Sequence, residues 1–351
     1  MQGYIHMAKK KIIINNSTIV KRTNVEMVRN ALRQIRTATR NEIAAVTGLS
    51  VATSGNILRE MLQRNEVSEY ELEEPNGGRP AHRYKYNENF IQTAWVGIFS
   101  EASIKSLGYS VANSFSETIF EERQICDTIT YDMVADVIRK ILSEYPSVKS
   151  LVVSIPGKSW NGTVYVCDVK ELEGFPLEQR LKNDFSLNLS VESECDLITL
   201  GYYKAHPELE GKTIATLLAP KDLYLGAGIL LDGKIMHGDH HMAGEVSFIS
   251  SGLKRDDALQ NLSKDDSLTT SILISTTAII SIINPSHLIF TGTGMTQEIK
   301  EAVTDKCKEI LPPILFPEFE YVSDWHSYFT TGIINLALHN TTSGLQLVST
   351  M

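Results

Sequence analysis

The sequence predicts an α/β protein in two parts: an N-terminal winged helix-turn-helix and a larger body of two similar lobes. Three observations predict it. Short helical patterns with a glycine-bearing turn between the last two are followed by two strand-like runs. A unit of three strands, a helix and another strand then occurs twice along the rest of the chain. The charge divides at the same place. Residues 1–90 carry 14 Lys+Arg against 9 Asp+Glu, a net of +5, whereas residues 91–351 carry 19 against 33, a net of −14.

Residues 1–20 read as a lead-in. Helical periodicity begins at Asn24, with Val25, Val28, Ala31 and Leu32 on one face. Thr37-Ala-Thr-Arg-Asn breaks that helix. Thr39 or Asn41 can cap a second one whose inner face is Ile43, Ala44 and Val46. Thr47-Gly-Leu-Ser is a tight turn. Gly48 suits a helix end because it reaches positive φ without a Cβ clash. Ser50 suits the next N-cap because its hydroxyl accepts an orphan backbone N–H. A third helix runs from Val51 to about Arg64, with Ser54, Ile57, Leu58, Met61 and Leu62 inward. Glu66 to Leu72 and His82 to Asn87 read as two strands joined by the turn Glu74 to Pro80, which makes a wing.

A helix, a short turn and a second helix on a basic segment is the pattern of a domain that reads double-stranded DNA. Ser50, Val51, Ala52, Thr53, Gly55 and Asn56 are placed at the start and on the outer face of the third helix, and are the candidates for the major groove. Asn56 has the donor and acceptor that a bidentate contact to adenine requires. Arg59, and Arg79 in the wing, are assigned to phosphate or to the minor groove.

From Thr93 the pattern changes. Ala94 to Phe99, Lys105 to Val111 and Ser116 to Glu122 read as strands, and Tyr131 to Tyr145 as an amphipathic helix. Val148 to Ile155 is a continuous apolar strand, as expected of one covered on both faces. The pattern recurs with a strand at Thr213 to Leu218 and a hairpin turning at Asp232-Gly233. A helix from Ser267 to Ile283 and a strand from Ser286 into Gly292-Thr-Gly294 complete it. The expected boundaries are 1–90 for the DNA-binding domain, 91–200 for the first lobe and 201–351 for the second. The second lobe is expected to carry a dimerisation surface and a C-terminal helix returning to the first. Hydrophobic residues at 42% and charged residues at 21% suit a globular protein. No uncharged apolar run approaches the ~20 residues that span a bilayer. The first residues lack an apolar core followed by a cleavage site, so no secretory leader is expected. Cys126, Cys167, Cys195 and Cys307 form no CxxC pair, which gives neither a disulfide framework nor a metal site and points to a reducing cytoplasm.

Several short runs carry a resemblance. They are Thr47-Gly-Leu-Ser-Val-Ala-Thr, Gly77-Gly-Arg-Pro-Ala, Ser154-Ile-Pro-Gly, Val191-Glu-Ser-Glu-Cys-Asp, Ile229-Leu-Leu-Asp-Gly-Lys and Ala243-Gly-Glu-Val. In this order they resemble the ROK group, which unites bacterial sugar kinases with winged-helix sugar repressors. The resemblance covers nearly the whole chain. It implies an actin-like (ribonuclease H-like) body with a sugar site in its cleft, lined here by Pro156, Gly157, Glu194 and Glu245.

The departures point away from catalysis. ROK kinases carry Asp-x-Gly-Gly-Thr after the first strand; here the run is Phe99-Ser-Glu-Ala-Ser, so Phe99 replaces the acid and Glu101 and Ala102 replace the glycines. The second phosphate loop reads Asp222-Leu-Tyr-Leu-Gly, and only Gly292-Thr-Gly294 keeps a nucleotide-like form. Backbone amides of small glycines cradle phosphates, and a carboxylate beside them repels the ligand. Glu194 stands at the kinase base position, displaced by one methylene. The histidine and cysteine cluster that binds zinc in the family is missing. Gly244-Glu245 is followed by Val246-Ser247-Phe248, and His240 and His241 read as surface residues. The expectation is a dimeric repressor of carbohydrate genes, as a homodimer or dimer of dimers. It would sense a sugar or sugar derivative, with no cofactor and no catalysis. The alternative is an active ROK sugar kinase with an appended DNA-binding domain.

Overall fold

The computed structural model describes residues 16–72, 81–101, 104–221, 223–249 and 265–341. The chain divides into two compact units, with the break between Phe90 and Ile91.

The first unit contains α1 (Asn16–Ile35), β1 (Thr37–Thr39), α2 (Arg40–Thr47), α3 (Val51–Gln63), β2 (Val67–Leu72) and β3 (Ala81–Tyr86). Helix α1 begins at Asn16, earlier than the apolar stripe from Asn24 predicts. No Gly or Pro interrupts Asn16–Ile35, and extending a formed helix costs far less than starting one. Thr37–Thr39 does more than break the helix. It pairs antiparallel with β3, Ala38 opposite Tyr84, and makes a three-stranded sheet in the order β1-β3-β2. Thr39 forms a capping box on α2: its hydroxyl accepts from the Glu42 N–H, and the Glu42 carboxylate accepts from the Thr39 N–H. Ser50 caps α3 by accepting from the Thr53 N–H at 3.1 Å. Gly48 ends α2 in the left-handed region, at φ 70°. Val46 is 57% exposed, contrary to its expected inward position, because so short a helix buries only Ile43. Glu66 is fully buried and paired with Arg29 of α1, and the Tyr86 hydroxyl donates to it at 3.2 Å. A buried carboxylate needs such partners, and meeting them ties α1 to the strands.

The second unit holds two five-stranded sheets of one plan. The first is built from β4 (Gln92–Glu101), β5 (Ile104–Ala112), β6 (Thr118–Cys126), α4 (Tyr131–Glu144), β7 (Val148–Ile155), α5 (Leu177–Asp184), β10 (Asn188–Ser193) and α6 (Glu194–Ala205). A hairpin, β8 (Gly157–Trp160) with β9 (Thr163–Cys167), sits between β7 and α5. Its order is β10-β7-β4-β5-β6: β4, β5 and β6 are antiparallel neighbours, and β7 and β10 run parallel to β4. The second sheet repeats this with β11 (Ile214–Leu218), β12 (Gly226–Leu231), β13 (Lys234–Ile235), α7 (Asp265–Ile283), β14 (His287–Thr291), α8 (Gln297–Ile310), β15 (Glu318–Val322) and α9 (Trp325–Thr341). Its order is β13-β12-β11-β14-β15. Asp232 and Gly233 both have positive φ, 50° and 68°, the turn that their sequence predicts.

Each lobe has its own apolar core. Val96, Leu107, Ile138 and Val153 belong to the first, and Leu217, Ile229, Ile280 and Phe290 to the second. Helices α6 and α9, equivalent in the two repeats, pack on each other, and α9 also lies against β4 and β7 of the first sheet. Their backbones meet at two glycines. A Cβ on Gly201 would lie 1.7 Å from the Tyr328 carbonyl oxygen, and one on Gly332 would lie 1.9 Å from that of Leu197. No rotamer relieves a clash with backbone. Gly332→Val is therefore expected to destabilise the body by about 1–3 kcal/mol or more. The exposed Ser281→Ala on α7 should stay within about 0.5 kcal/mol of the wild type. Denaturant melts of the two variants against the wild type measure both.

Candidate ligand cleft and recognition helix

The start of α3 is built as its sequence predicts. The hydroxyls of Ser50 and Thr53 are 2.9 Å apart, so both are committed to the cap. Val51 is 48% exposed, and Ala52, Asn56 and Arg59 are also exposed. Arg59 donates to the Asn56 side-chain oxygen, which fixes the plane of that amide. Gly55 corrects the expectation. It is buried, not outward, because the Arg40 side chain crosses it: a Cβ there would be 3.3 Å from Arg40 Cδ. Arg40 is held in that position by the Tyr84 hydroxyl, which accepts from Nε and Nη2 at 2.9 and 2.7 Å. Arg79 lies outside the described residues.

In the body, the four residues assigned to the sugar site meet around one cavity. Pro156 follows β7, Gly157 opens β8, Glu194 is the first residue of α6, and Glu245 follows Gly244 in the loop after β13. Ser100, Lys158, Asp168, Cys195 and Trp325 also line it. The sequence reading missed these. Lys158 had one visible signal, a charge directly after Pro156-Gly157 in a run otherwise reading as strand. Trp325 had none, since it arrives from α9. Gly292 and Thr293 line the cavity too, and Thr293 Oγ1 accepts from the Lys221 N–H at 2.9 Å. Phe248 is 53% exposed and is not part of the lining.

The position where the kinase motif has its phosphate-loop acid holds a packed aromatic ring. Phe99 is 3% exposed and stacks edge-on to Phe329 at 5.2 Å between centroids, with Trp325 at 6.5 Å. The Arg123 guanidinium lies 4.5 Å above the Phe99 ring and donates to Glu101 at 2.6 Å. His326 Nε2 is 3.6 Å from the same carboxylate. Hydrogen bonding from His326, together with Arg123, holds the Glu101 carboxyl below its usual range despite burial. Glu101 is thus ionised and turned into an internal network. Ala102 and Asp222 lie outside the described residues.

Behind the cavity, Lys158 Nζ and Asp196 Oδ2 form a buried ion pair at 2.7 Å, with side-chain exposures of 6% and 1%. Burial works against the Lys158 ammonium, and the Asp196 charge outweighs it, so Lys158 stays protonated. Next to it, His237 Nε2 lies 3.0 Å from a Glu192 carboxylate oxygen and joins the loop after β13 to β10. The His241 ring stacks on His237 at 4.6 Å, and His240 meets Trp160 edge-on at 4.8 Å. Glu194 sits apart from these pairs. It is 7% exposed, and burial, reinforced by Glu101 and Asp168, pushes its carboxyl up to about 8, with Arg123 opposing. The Glu245 carboxylate accepts from the Ser247 hydroxyl.

The hydrogen bond to Glu192 raises the His237 pKa above its ordinary 6.5 against the effect of burial. A raised histidine stabilises the fold fully below its unfolded pKa and loses that contribution as pH rises through the folded value. The melting-temperature difference between wild type and His237→Gln should therefore be largest below about pH 6.5 and shrink above it. Thermal melts of both proteins across that range measure the change.

No family model matches the chain. In sequence it is similar to the xylose repressor of Caldicellulosiruptor bescii, 22% identical over 254 residues, covering 69% of this chain and 62% of that one. It is also similar to the DNA-binding transcriptional repressor Mlc of Escherichia coli, 23% identical over 66% of this chain and 58% of that one. The chain thus spans about three-fifths of the length of these relatives. Among solved structures, a ROK family transcriptional regulator homologous to E. coli Mlc superposes with a TM-score of 0.67 at 16% identity, covering 92% of this chain and 98% of that one. A ROK hexokinase from Thermus thermophilus gives 0.52 at 11% identity, over 72% and 100%. The likeness to the ROK group that the motifs suggest is borne out, in sequence by the two repressors and in fold by the regulator and the hexokinase.

Proposed function

We propose that this protein is a DNA-binding transcriptional repressor of carbohydrate genes whose body senses a sugar or sugar derivative without phosphorylating it. The observation that carries the reading is the packing of Phe99 on Trp325 and Phe329. A packed aromatic ring stands where the kinase motif has its phosphate-loop acid, while Pro156, Gly157, Glu194 and Glu245 still line one cavity. A kinase needs the phosphate loop and the sugar site; a sensor needs the sugar site. The relatives named above as repressors support the same reading. The hexokinase supports the rival, an active kinase with an appended DNA-binding domain, through shared fold alone.

In this reading residues 1–90 are a winged helix-turn-helix, with α2 and α3 as the helix pair and β2 and β3 as the wing. The body's lobes divide after α6, a few residues beyond the expected boundary at 200, and the second carries a dimerisation surface. A homodimer, or a dimer of dimers, places two α3 helices on a palindromic operator. The setting is the cytoplasm; no helix among the described residues is long and apolar enough to cross a membrane. Closure of the lobes on a ligand shifts DNA binding only as far as the ligand prefers one state over the other.

Asn56 reads bases and Arg59 grips the backbone, and their hydrogen bond couples the two roles. Asn56→Ala is expected to lose ~1–3 kcal/mol of discrimination between operator and random DNA. Arg59→Ala should reduce the salt slope by about one unit. It should also lose part of the discrimination, because the Asn56 amide is then free to rotate. Gel-shift titrations at two salt concentrations on both DNAs measure this; equal losses on both DNAs for Asn56→Ala overturn base reading.

Glu245→Ala is expected to abolish the response to the sugar while basal operator binding is unchanged. The wild type should release no ADP from ATP with any hexose in a coupled assay. Measurable turnover overturns the sensor reading in favour of the kinase, and a normal response from Glu245→Ala overturns the site.

A further inference from the structure

Beside the cavity, three aromatic rings meet at the surface. Trp160 lies 6.1 Å from Tyr165 and 4.8 Å from His240, centroid to centroid. Tyr165 is 52% exposed, His240 is exposed and Trp160 is half-buried. Aromatic side chains with a polar tip find a partner for it when they serve as core. Here the Trp160 indole N–H, the Tyr165 hydroxyl and the His240 ring nitrogens have no hydrogen-bond partner among the described residues.

The hairpin holds this cluster in place. β8 and β9 turn through Asn161 and Gly162, both at positive φ, 50° and 80°, the two-residue turn that matches the twist of paired strands. Lys158 pairs with Val166 and Ser159 with Val164, so Tyr165 is an extra residue on β9. Such a bulge re-aims a side chain, and bulges recur beside active sites. Trp160 shares a strand face with Lys158, about 7 Å further along, and Lys158 lines the cavity. His240 comes from the other lobe, on the loop that continues into Gly244 and Glu245 of the same lining. Both sides of the cluster thus continue walls of the cavity.

We propose that Trp160, Tyr165 and His240 form an outer subsite for a second sugar ring, so that the ligand of the cleft is a disaccharide or a longer glycan. This rests on the reading of the cleft as a sugar site and adds the size of the ligand. A pyranose has a face of C–H bonds and a rim of hydroxyls. The face suits the aromatic rings, and the rim suits their polar tips, which between them offer donors and acceptors. Apolar surface with a few convergent polar groups is the usual make-up of a small-molecule site. Trp160 and His240 come from different lobes, so a ring resting on both is bound best at the closure angle that brings them together.

Calorimetric titration of the full chain with matched sugars tests this: xylose against xylobiose, glucose against cellobiose and maltose, and N-acetylglucosamine against di-N-acetylchitobiose. At least one disaccharide is expected to bind about tenfold or more tighter than its monosaccharide. Trp160→Ala should cut that advantage to about threefold or less and leave the monosaccharide affinity within about twofold. Trp160→Phe, which keeps a stacking face, should retain most of the advantage. Tyr165→Ala, at an exposed position, should lose part of it and decides the matter if Trp160→Ala does not fold. Monosaccharides that bind as tightly as all their disaccharides overturn this proposal and leave the sugar-sensing reading standing. An advantage that survives both alanine variants, or an equal loss for both sizes of ligand, overturns the role of the aromatic cluster. Binding by none of these sugars overturns the proposal and the sugar site together.

Discussion

Helix α6 is buried up to its last two residues. Every residue from Glu194 to Tyr203 is buried, because β12 and β11 cover one side and α9 the other. That sandwich works only if the two helices approach to backbone contact, and Gly201 and Gly332 permit it reciprocally. The cleft depends on the same contact. The first turn of α6 presents Glu194 and Cys195 to the cavity and Asp196 to Lys158. Burial raises the pKa of both carboxyls, and Lys158 offsets this for Asp196.

The elements with a clear period were legible in the sequence. The α2 turn, the cap at Ser50, the strand Val148–Ile155 and the Asp232-Gly233 hairpin all follow from local rules, and the structure has them. What was not legible depends on distant neighbours. Gly55 looks outward by helical spacing, and only the position of Arg40, fixed by Tyr84, buries it. Thr37–Thr39 is too short to read as a strand without its partner β3. The family motifs brought Pro156, Gly157, Glu194 and Glu245 to one cavity, whereas Lys158, Asp168 and Trp325 entered it through a hairpin and a helix whose positions no motif records.

Phe99, one of the altered phosphate-loop positions, is integrated into the core. Phe99 joins Trp95, Trp325 and Phe329 in one apolar cluster that also includes Leu197 and Ile198 of α6. Aromatic contacts of this kind add to the stabilisation from burial. Restoring a small or acidic residue at Phe99 would open a hole beneath Arg123 and remove part of the seat of α9. In this chain, packing holds the position.

The return of α9 to β4 and β7 has a mechanical consequence. The polypeptide passes between the lobes twice, once after α6 and once in α9. Two bodies joined by a single strand can swing in any direction or drift apart. Joined by two crossings side by side, they keep one easy degree of freedom, rotation about the line through the crossings. On the sensor reading proposed above, the cleft mouth is a jaw on a fixed axle, and a ligand would be read as a single number, the angle at which the jaw stops.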